Sequence, residues 1–126
     1  MIPKNKHDIE ATIKLSEASD ELVLRHVNDL LPWLEDVNWP VFNGIVERLK
    51  DLGAELQEPI KIALKSNDTI YRGNIIGHLI PLFSEEEQKL YTSELERILK
   101  EYSTEDLEEG VIDFVEMQLA RVRKCT

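Results

Sequence analysis

The chain has 126 residues, of which 42% are hydrophobic and 32% charged, and its formal net charge is −10. This length and composition indicate a single folded domain spanning residues 1–126, with enough apolar side chains for a hydrophobic core. The acidic balance excludes nucleic-acid binding as a leading function, because phosphate contacts require a basic face; it favours a basic protein partner, or serves only to keep the protein soluble.

Helix signals begin near Ile9 and continue through the first third of the chain. Ile9 and Ile13 predict a short, weak helix, and Ser19 is placed to cap a second one. Apolar residues then recur at three- and four-residue spacing as far as Leu34, which predicts one buried helix face. Because Pro32 interrupts this run, we expect a kink or a short restarted turn there.

A turn is predicted to separate this run from the next helix. Asn38, Trp39 and Pro40 resemble a helix start, with Pro40 in the first turn, where its missing N–H is not needed. Gly53 is suited to the left-handed position just after the end of that helix. The following helix should have Pro59 in or near its first turn.

The second half of the chain predicts three more helices and no alternating strand pattern. Small polar residues able to cap a first turn precede each of them: Asn67 or Asp68, Ser84, and Ser103 or Thr104. Glu87 completes a capping box with Ser84, and Pro81 marks the end of the preceding helix. The sequence therefore predicts an all-α fold of about seven helices.

A weak internal repeat suggests how these helices are arranged. The stretches VNDLL (27–31), IKIAL (60–64) and LERIL (95–99) share apolar residues at their first and last two positions, at offsets of 33 and 35 residues. Two-helix units of this length are typical of α-solenoids, in which each pair buries its apolar face against the next. The predicted architecture is a short right-handed α-solenoid of HEAT-like helical hairpins.

Two sequence blocks carry a family resemblance. The block from Trp33 to Val41 reads W-x-x-D-x-N-W-P-V; with the opening IPKNKHDIE and the later ALKSND, it resembles a family of short, uncharacterised bacterial proteins. The segment Asp68–Arg72, DTIYR, resembles the first helix of a HEAT repeat. The resemblance implies a helical fold and brings no activity, because the family is a domain of unknown function.

The candidate interaction surface combines the tryptophan block with the segment 71–74, in case helix stacking places them side by side. It consists of these residues: Trp33, Glu35, Asp36, Asn38, Trp39, Tyr71, Arg72 and Asn74. The two tryptophans either pack together as a structural corner or present a ring as a binding anchor. Arg72 is expected to bridge to Asp68, and the G-x-x-x-G spacing of Gly73 and Gly77 predicts close approach of a neighbouring helix.

No spacing typical of catalysis or metal binding is present. The histidines His7, His26 and His78 are far apart and are expected at the surface or at helix ends, and the single Cys125 excludes a disulfide within one chain. We therefore predict no metal, no cofactor and no enzymatic activity. The chain shows no signal-peptide core and no run near the roughly 20 apolar residues of a membrane span, which predicts a cytoplasmic protein.

The leading functional prediction is a non-catalytic protein-binding or adaptor module. One version is an immunity-type protein that masks a basic toxin or enzyme. Residues 84–109 hold ten acids and three bases, and they form either an acidic face for such a partner or ordinary solvated helix faces. The alternatives are a small-ligand binder or enzyme with a pocket near Trp39, Tyr71 and Arg72, and a self-assembling structural module that is a monomer or weak homo-oligomer.

Overall fold

The computed structural model describes residues 1–124. Cys125, the single cysteine of the sequence, lies outside the described residues. Within them the chain forms only helices, with these α-helices in order: α1 Ile9–Glu17, α2 Asp20–Arg25, α3 Val27–Leu30, α4 Phe42–Leu49, α5 Gln57–Ala63, α6 Thr69–Asn74, α7 Glu85–Lys89, α8 Thr92–Glu101, α9 Thr104–Glu108 and α10 Val111–Lys124. Shorter helical segments continue some of them: 3-10 turns at Leu31–Glu35, Lys50–Leu52 and Ile80–Leu82, and a π-helical turn at Ile75–Leu79. The all-α prediction is confirmed.

The predicted helix starts are confirmed where a polar side chain marks them. A first-turn backbone N–H donates to each of these capping side chains: Ser19, Asp68, Ser84 and Ser103. Ser84 and Glu87 form the predicted capping box. Pro59 lies in the first turn of α5, also as predicted, and Pro32 begins the restarted turn Leu31–Glu35.

Other boundaries differ from the sequence prediction. The helix expected to begin at Asn38 begins at Phe42, after a turn. Gly53 has a φ of −53°, in the ordinary right-handed region rather than the left-handed one. The helix run breaks at His26, and the last predicted helix breaks at Gly110, whose φ of +79° suits glycine alone. These extra breaks make the described helices shorter and more numerous than about seven.

Helix α10 lies at the centre of the packing. It contacts α6, the π-helical turn Ile75–Leu79, α8 and α9. On the other side of that turn, α4 contacts both the turn and α1, so α1, α4, the turn and α10 follow one another in space. None of the helices in residues 1–124 is long and apolar enough to cross a membrane.

The close approach predicted at Gly73 and Gly77 is confirmed, and the approaching helix is α10. A Cβ atom on Gly73 would lie 3.2 Å from the Val111 side chain, and one on Gly77 would lie 2.7 Å from the Phe114 ring. Distances under about 3 Å leave no room for a methyl group without movement of the ring. Glycine at position 77 therefore sets how close α10 packs.

We expect Gly77→Ala to lower the free energy of unfolding by about 1–3 kcal/mol, because the new methyl group overlaps the Phe114 ring. Gly73→Ala should cost less, since its contact is looser. Urea denaturation would measure both. In a double-mutant cycle, adding Phe114→Leu should recover part of the loss caused by Gly77→Ala; strictly additive losses would contradict the assigned contact.

Candidate functional site

The corner between α3 and α4 is a hydrogen-bonded turn that follows the 3-10 segment Leu31–Glu35. The Asp36 carboxylate accepts a hydrogen bond from the Asn38 N–H at 2.8 Å. The Asp36 carbonyl accepts one from the Trp39 N–H at 3.1 Å, and the Trp39 carbonyl accepts one from the Phe42 N–H at 3.0 Å. Of these two residues predicted for the interaction surface, Asp36 therefore stabilises the turn with its side chain, whereas Asn38 contributes only its backbone N–H.

Trp33 and Trp39 pack against each other across this turn. Their ring centroids lie 5.6 Å apart with the planes at 64°, an edge-to-face arrangement. Both rings are half-buried against the hydrophobic core. The predicted aromatic corner is therefore confirmed, and each ring also keeps part of its surface exposed.

Helix α6 is joined to the corner by a buried hydrogen bond. The Asn74 side-chain amide donates to the Leu34 carbonyl at 2.8 Å, which accounts for the burial of Asn74. This contact brings α6 against the segment Leu31–Glu35, so that Tyr71 comes near Glu35. Burial raises the pKa of Tyr71 to about 12, and the negative charges of Glu35 and Asp68 contribute to the rise.

The corner and the α5–α6 region form a surface depression that we call the corner groove. Its first part, the apolar trough, has a volume of about 360 Å³ and is lined by these residues: Asn28, Leu31, Pro32, Pro59, Ile62, Ala63, Lys65, Ser66 and Tyr71. The second part, the tryptophan notch, has a volume of about 300 Å³ and is lined by Pro32, Trp33, Glu35 and Trp39. Pro32 lines both parts, and together they include four of the predicted surface residues: Trp33, Glu35, Trp39 and Tyr71.

Arg72 belongs to a different part of the molecule. The prediction that it pairs with Asp68 is wrong. Its guanidinium donates to the Asp106 carboxylate at 2.5 Å, and the side chains of Arg72 and Asp106 are only 11% and 4% exposed. The Thr69 hydroxyl donates to the same carboxylate oxygen at 2.9 Å. This buried cluster ties α6 to α9, so Arg72 has a structural role.

The charge of Asp106 is favoured by its partners. Burial alone would raise the pKa of this carboxyl, but hydrogen bonds from the Ser103 N–H, Arg72 and Thr69 outweigh it and hold the pKa below its usual value. The same carboxylate completes a capping box at the start of α9, where the Asp106 N–H donates to the Ser103 hydroxyl. One side chain thus starts α9 and attaches it to α6.

The pocket expected to join Trp39, Tyr71 and Arg72 does not form as one cavity. Trp39 lines the tryptophan notch and Tyr71 lines the apolar trough. Arg72 lines a separate polar depression of about 350 Å³ that also includes Arg97 and Asp106. The three side chains therefore share no space in which one small molecule would touch them all.

The groove contains residues that the sequence analysis missed. Ile62 is the clearest case: its side chain is 69% exposed on the trough surface, beside Pro59 and Ala63. The pattern held a signal for it, because Ile60, Ala63 and Leu64 face the core while Ile62 lies off that face. An isoleucine on the solvent side of an amphipathic helix is the feature that would have identified it.

The acidic stretch 84–109 is less available to a partner than its composition suggests. Several of its acids already form ion pairs or caps within the fold: Glu86 with Lys89, Glu87 in the Ser84 capping box, Glu94 with Lys61, Glu101 with Arg97, and Asp106 with Arg72. Much of this acidity therefore stabilises helix ends and helix contacts, as the solvated-face interpretation implies.

The histidines take up separate positions. His26 ends α2 as predicted, whereas His78 is half-buried between the rings of Phe42 and Phe114, with centroids 5.7 Å from each. His78 also lies in the last turn of its helical segment, as predicted, and the π-helical turn places it between two core elements. Within residues 1–124 no three His, Cys, Asp or Glu side chains are grouped as metal ligands.

These features define an all-helical protein with an aromatic groove at a helix-to-helix corner. The chain belongs to the DUF5071 family, a domain of unknown function, whose model matches residues 1–119. No curated protein matches the chain significantly. The expected membership of a family of unknown function is thereby confirmed.

We expect Asn74→Ala to destabilise the protein by about 1–3 kcal/mol, because it leaves the buried Leu34 carbonyl without its donor. The matched control is Asn38→Ala, which changes an exposed asparagine of the same corner and should cost much less. Thermal unfolding followed by circular dichroism would compare them. Equal losses would show that the Asn74 hydrogen bond does not hold the corner.

We expect Asp106→Asn to destabilise the protein by about 3 kcal/mol at neutral pH, since it leaves the Arg72 charge buried and unpaired. Because the folded-state pKa of Asp106 is lowered, the stabilisation is present above the ordinary carboxyl pKa and is lost as pH falls through the folded value. The difference from wild type should therefore shrink below about pH 4.

Denaturant titrations over a pH series would test this, with Asp113→Asn, at an exposed position on α10, as the control. A difference between wild type and Asp106→Asn that stays constant down to strongly acidic pH would contradict the assigned ion pair.

Proposed function

We propose that this chain is a non-catalytic protein-binding module that takes an apolar side chain of a partner protein into the apolar trough. The observation that supports this most directly is Ile62, 69% exposed in a depression that Leu31, Pro59 and Ala63 also line. Apolar surface held in a concave site gains free energy when a partner covers it, and such sites contain most of the affinity of protein interfaces. The neighbouring tryptophans supply the aromatic surface that such interfaces favour.

The partner we propose is basic near its contact residue. Glu35 and Asp68 are exposed near Tyr71, and neither forms an ion pair within the described part of the chain. The net charge of −10 adds a long-range attraction for a cationic protein and speeds its association. An immunity-type protein that masks a basic toxin or enzyme in the bacterial cytoplasm is the particular version that we propose.

A short right-handed HEAT-like solenoid is the architecture that we propose for this module. Four helices begin at Ile9, Phe42, Thr69 and Val111, at intervals of 33, 27 and 42 residues. Helix α1 contacts α4, α4 contacts the π-helical turn that extends α6, and this turn contacts α10. This chain of contacts supports a stack of hairpins. In such a stack the corner groove occupies the edge where one hairpin passes to the next.

Self-association is a second candidate, and the outer face of α1 favours it. Ile9 and Ile13 lie one turn apart on this helix and are 45% and 54% exposed. Light scattering at increasing protein concentration would detect it, and Ile13→Ser would abolish it. If the protein is a monomer at all concentrations, self-association is wrong and the protein-binding module stays the proposed function.

The test of the proposed function is capture of partners on the immobilised protein, identified by mass spectrometry. We expect a basic protein that is released at moderate ionic strength. Ile62→Ser should weaken its binding about tenfold or more, because it removes the apolar contact surface of the trough.

The matched control is Ile70→Ser, which replaces another exposed isoleucine, 47% exposed, that does not line the groove. Circular dichroism would verify that both variants stay folded. If both bind the same proteins as wild type, the trough is not the binding site. If the bound proteins are acidic, the electrostatic part of the proposal is wrong.

A further inference from the structure

The tryptophan notch differs in chemistry from the apolar trough beside it. Its walls are the indoles of Trp33 and Trp39, whose planes meet at 64°, with Pro32 between the two parts of the groove. The remaining lining residue is Glu35, an acid that is exposed and has no ion-pair partner within residues 1–124. Two indole rings and one uncommitted carboxylate therefore line a single open depression of about 300 Å³.

This combination favours an organic cation. Tryptophan has the strongest ring quadrupole among the side chains and attracts a cation placed over its face. A carboxylate at the edge of the same space adds a direct ionic hydrogen bond. An apolar ligand would leave Glu35 without a partner, and an anion would be repelled by it, so both fit the notch less well.

We propose that the tryptophan notch binds an arginine side chain of the partner protein, next to the apolar residue that occupies the trough. A guanidinium can stack flat on one indole while its N–H groups reach the Glu35 carboxylate. A tetrahedral ammonium is attracted to both groups but has no planar face to stack on the ring. Since Pro32 lines both parts of the groove, the arginine and the apolar residue lie close together in the partner. This inference rests on the proposed function and specifies the partner's contact sequence.

The notch can be tested without the partner, because Trp33 and Trp39 are the only tryptophans of the chain. Their two indole N–H signals would be followed by NMR during titration with N-acetyl-arginine amide. N-acetyl-citrulline amide, the neutral isostere, N-acetyl-lysine amide and tetramethylammonium are the comparison probes. We expect saturable shifts of both indole signals with arginine, smaller shifts with lysine and none with citrulline.

Glu35→Gln should weaken arginine binding about fivefold and should leave the fold of the corner unchanged, because Glu35 is exposed. The matched control, Glu96→Gln, changes an exposed acid on α8 outside the groove and should have no effect. Equal binding of arginine and citrulline, or equal affinity of wild type and Glu35→Gln, would overturn the inference. Tighter binding of lysine or of tetramethylammonium would also overturn it, because the site would then be one for ammonium cations.

The two proposals fail separately. If capture of a partner depends on Ile62 but the indole signals do not respond to arginine, the proposed binding function stands and the arginine assignment is wrong. If the indole signals respond to arginine but Ile62→Ser captures the same partners as wild type, the trough is not the partner site. The notch would then still bind the cation.

Discussion

The hydrogen bond from the Asn74 amide to the Leu34 carbonyl joins the corner to α6, and residues from both of these segments line the groove. Three consecutive residues of α6 face three neighbours: Arg72 pairs with Asp106 of α9, Gly73 admits α10, and Asn74 holds the corner. A six-residue helix has little stability of its own, so these contacts define its position. Tyr71, which is half-buried on another side of this helix, lines the groove.

Local signals in the sequence were sufficient at the helix starts that a polar side chain caps. Ser84 with Glu87, and Asp68 before α6, mark their helix starts because a cap needs only the next three backbone N–H groups. Gly77 was also readable, since a glycine inside a helix implies a close neighbour, although the sequence did not reveal that the neighbour is Phe114. The identity of a packing partner is a property of the whole fold.

Two of the predictions that failed concern contacts between distant segments. Arg72 had a plausible partner four residues away in Asp68, but Asp106 offers a buried carboxylate that is also held by two other donors. Gly53 was expected to adopt a left-handed conformation, yet a Cβ there would lie 2.5 Å from the Glu87 carboxylate, so the glycine serves close packing. In both cases a tertiary contact replaced the local explanation, as is usual when propensity and packing compete.

The tryptophan corner shows why a structural and a binding interpretation need not exclude each other. Trp33 and Trp39 each place one part of the ring on the core and keep another part at the surface, so one pair closes the turn and lines the notch. Net charge alone would have placed a basic partner on residues 84–109, where many acids are already paired. What favours a cation is an uncommitted carboxylate next to aromatic rings, because the charge and the ring quadrupole attract the cation together. Glu35 meets that condition, and its position depends on the hydrogen bond that Asn74 makes on the buried side of the same corner.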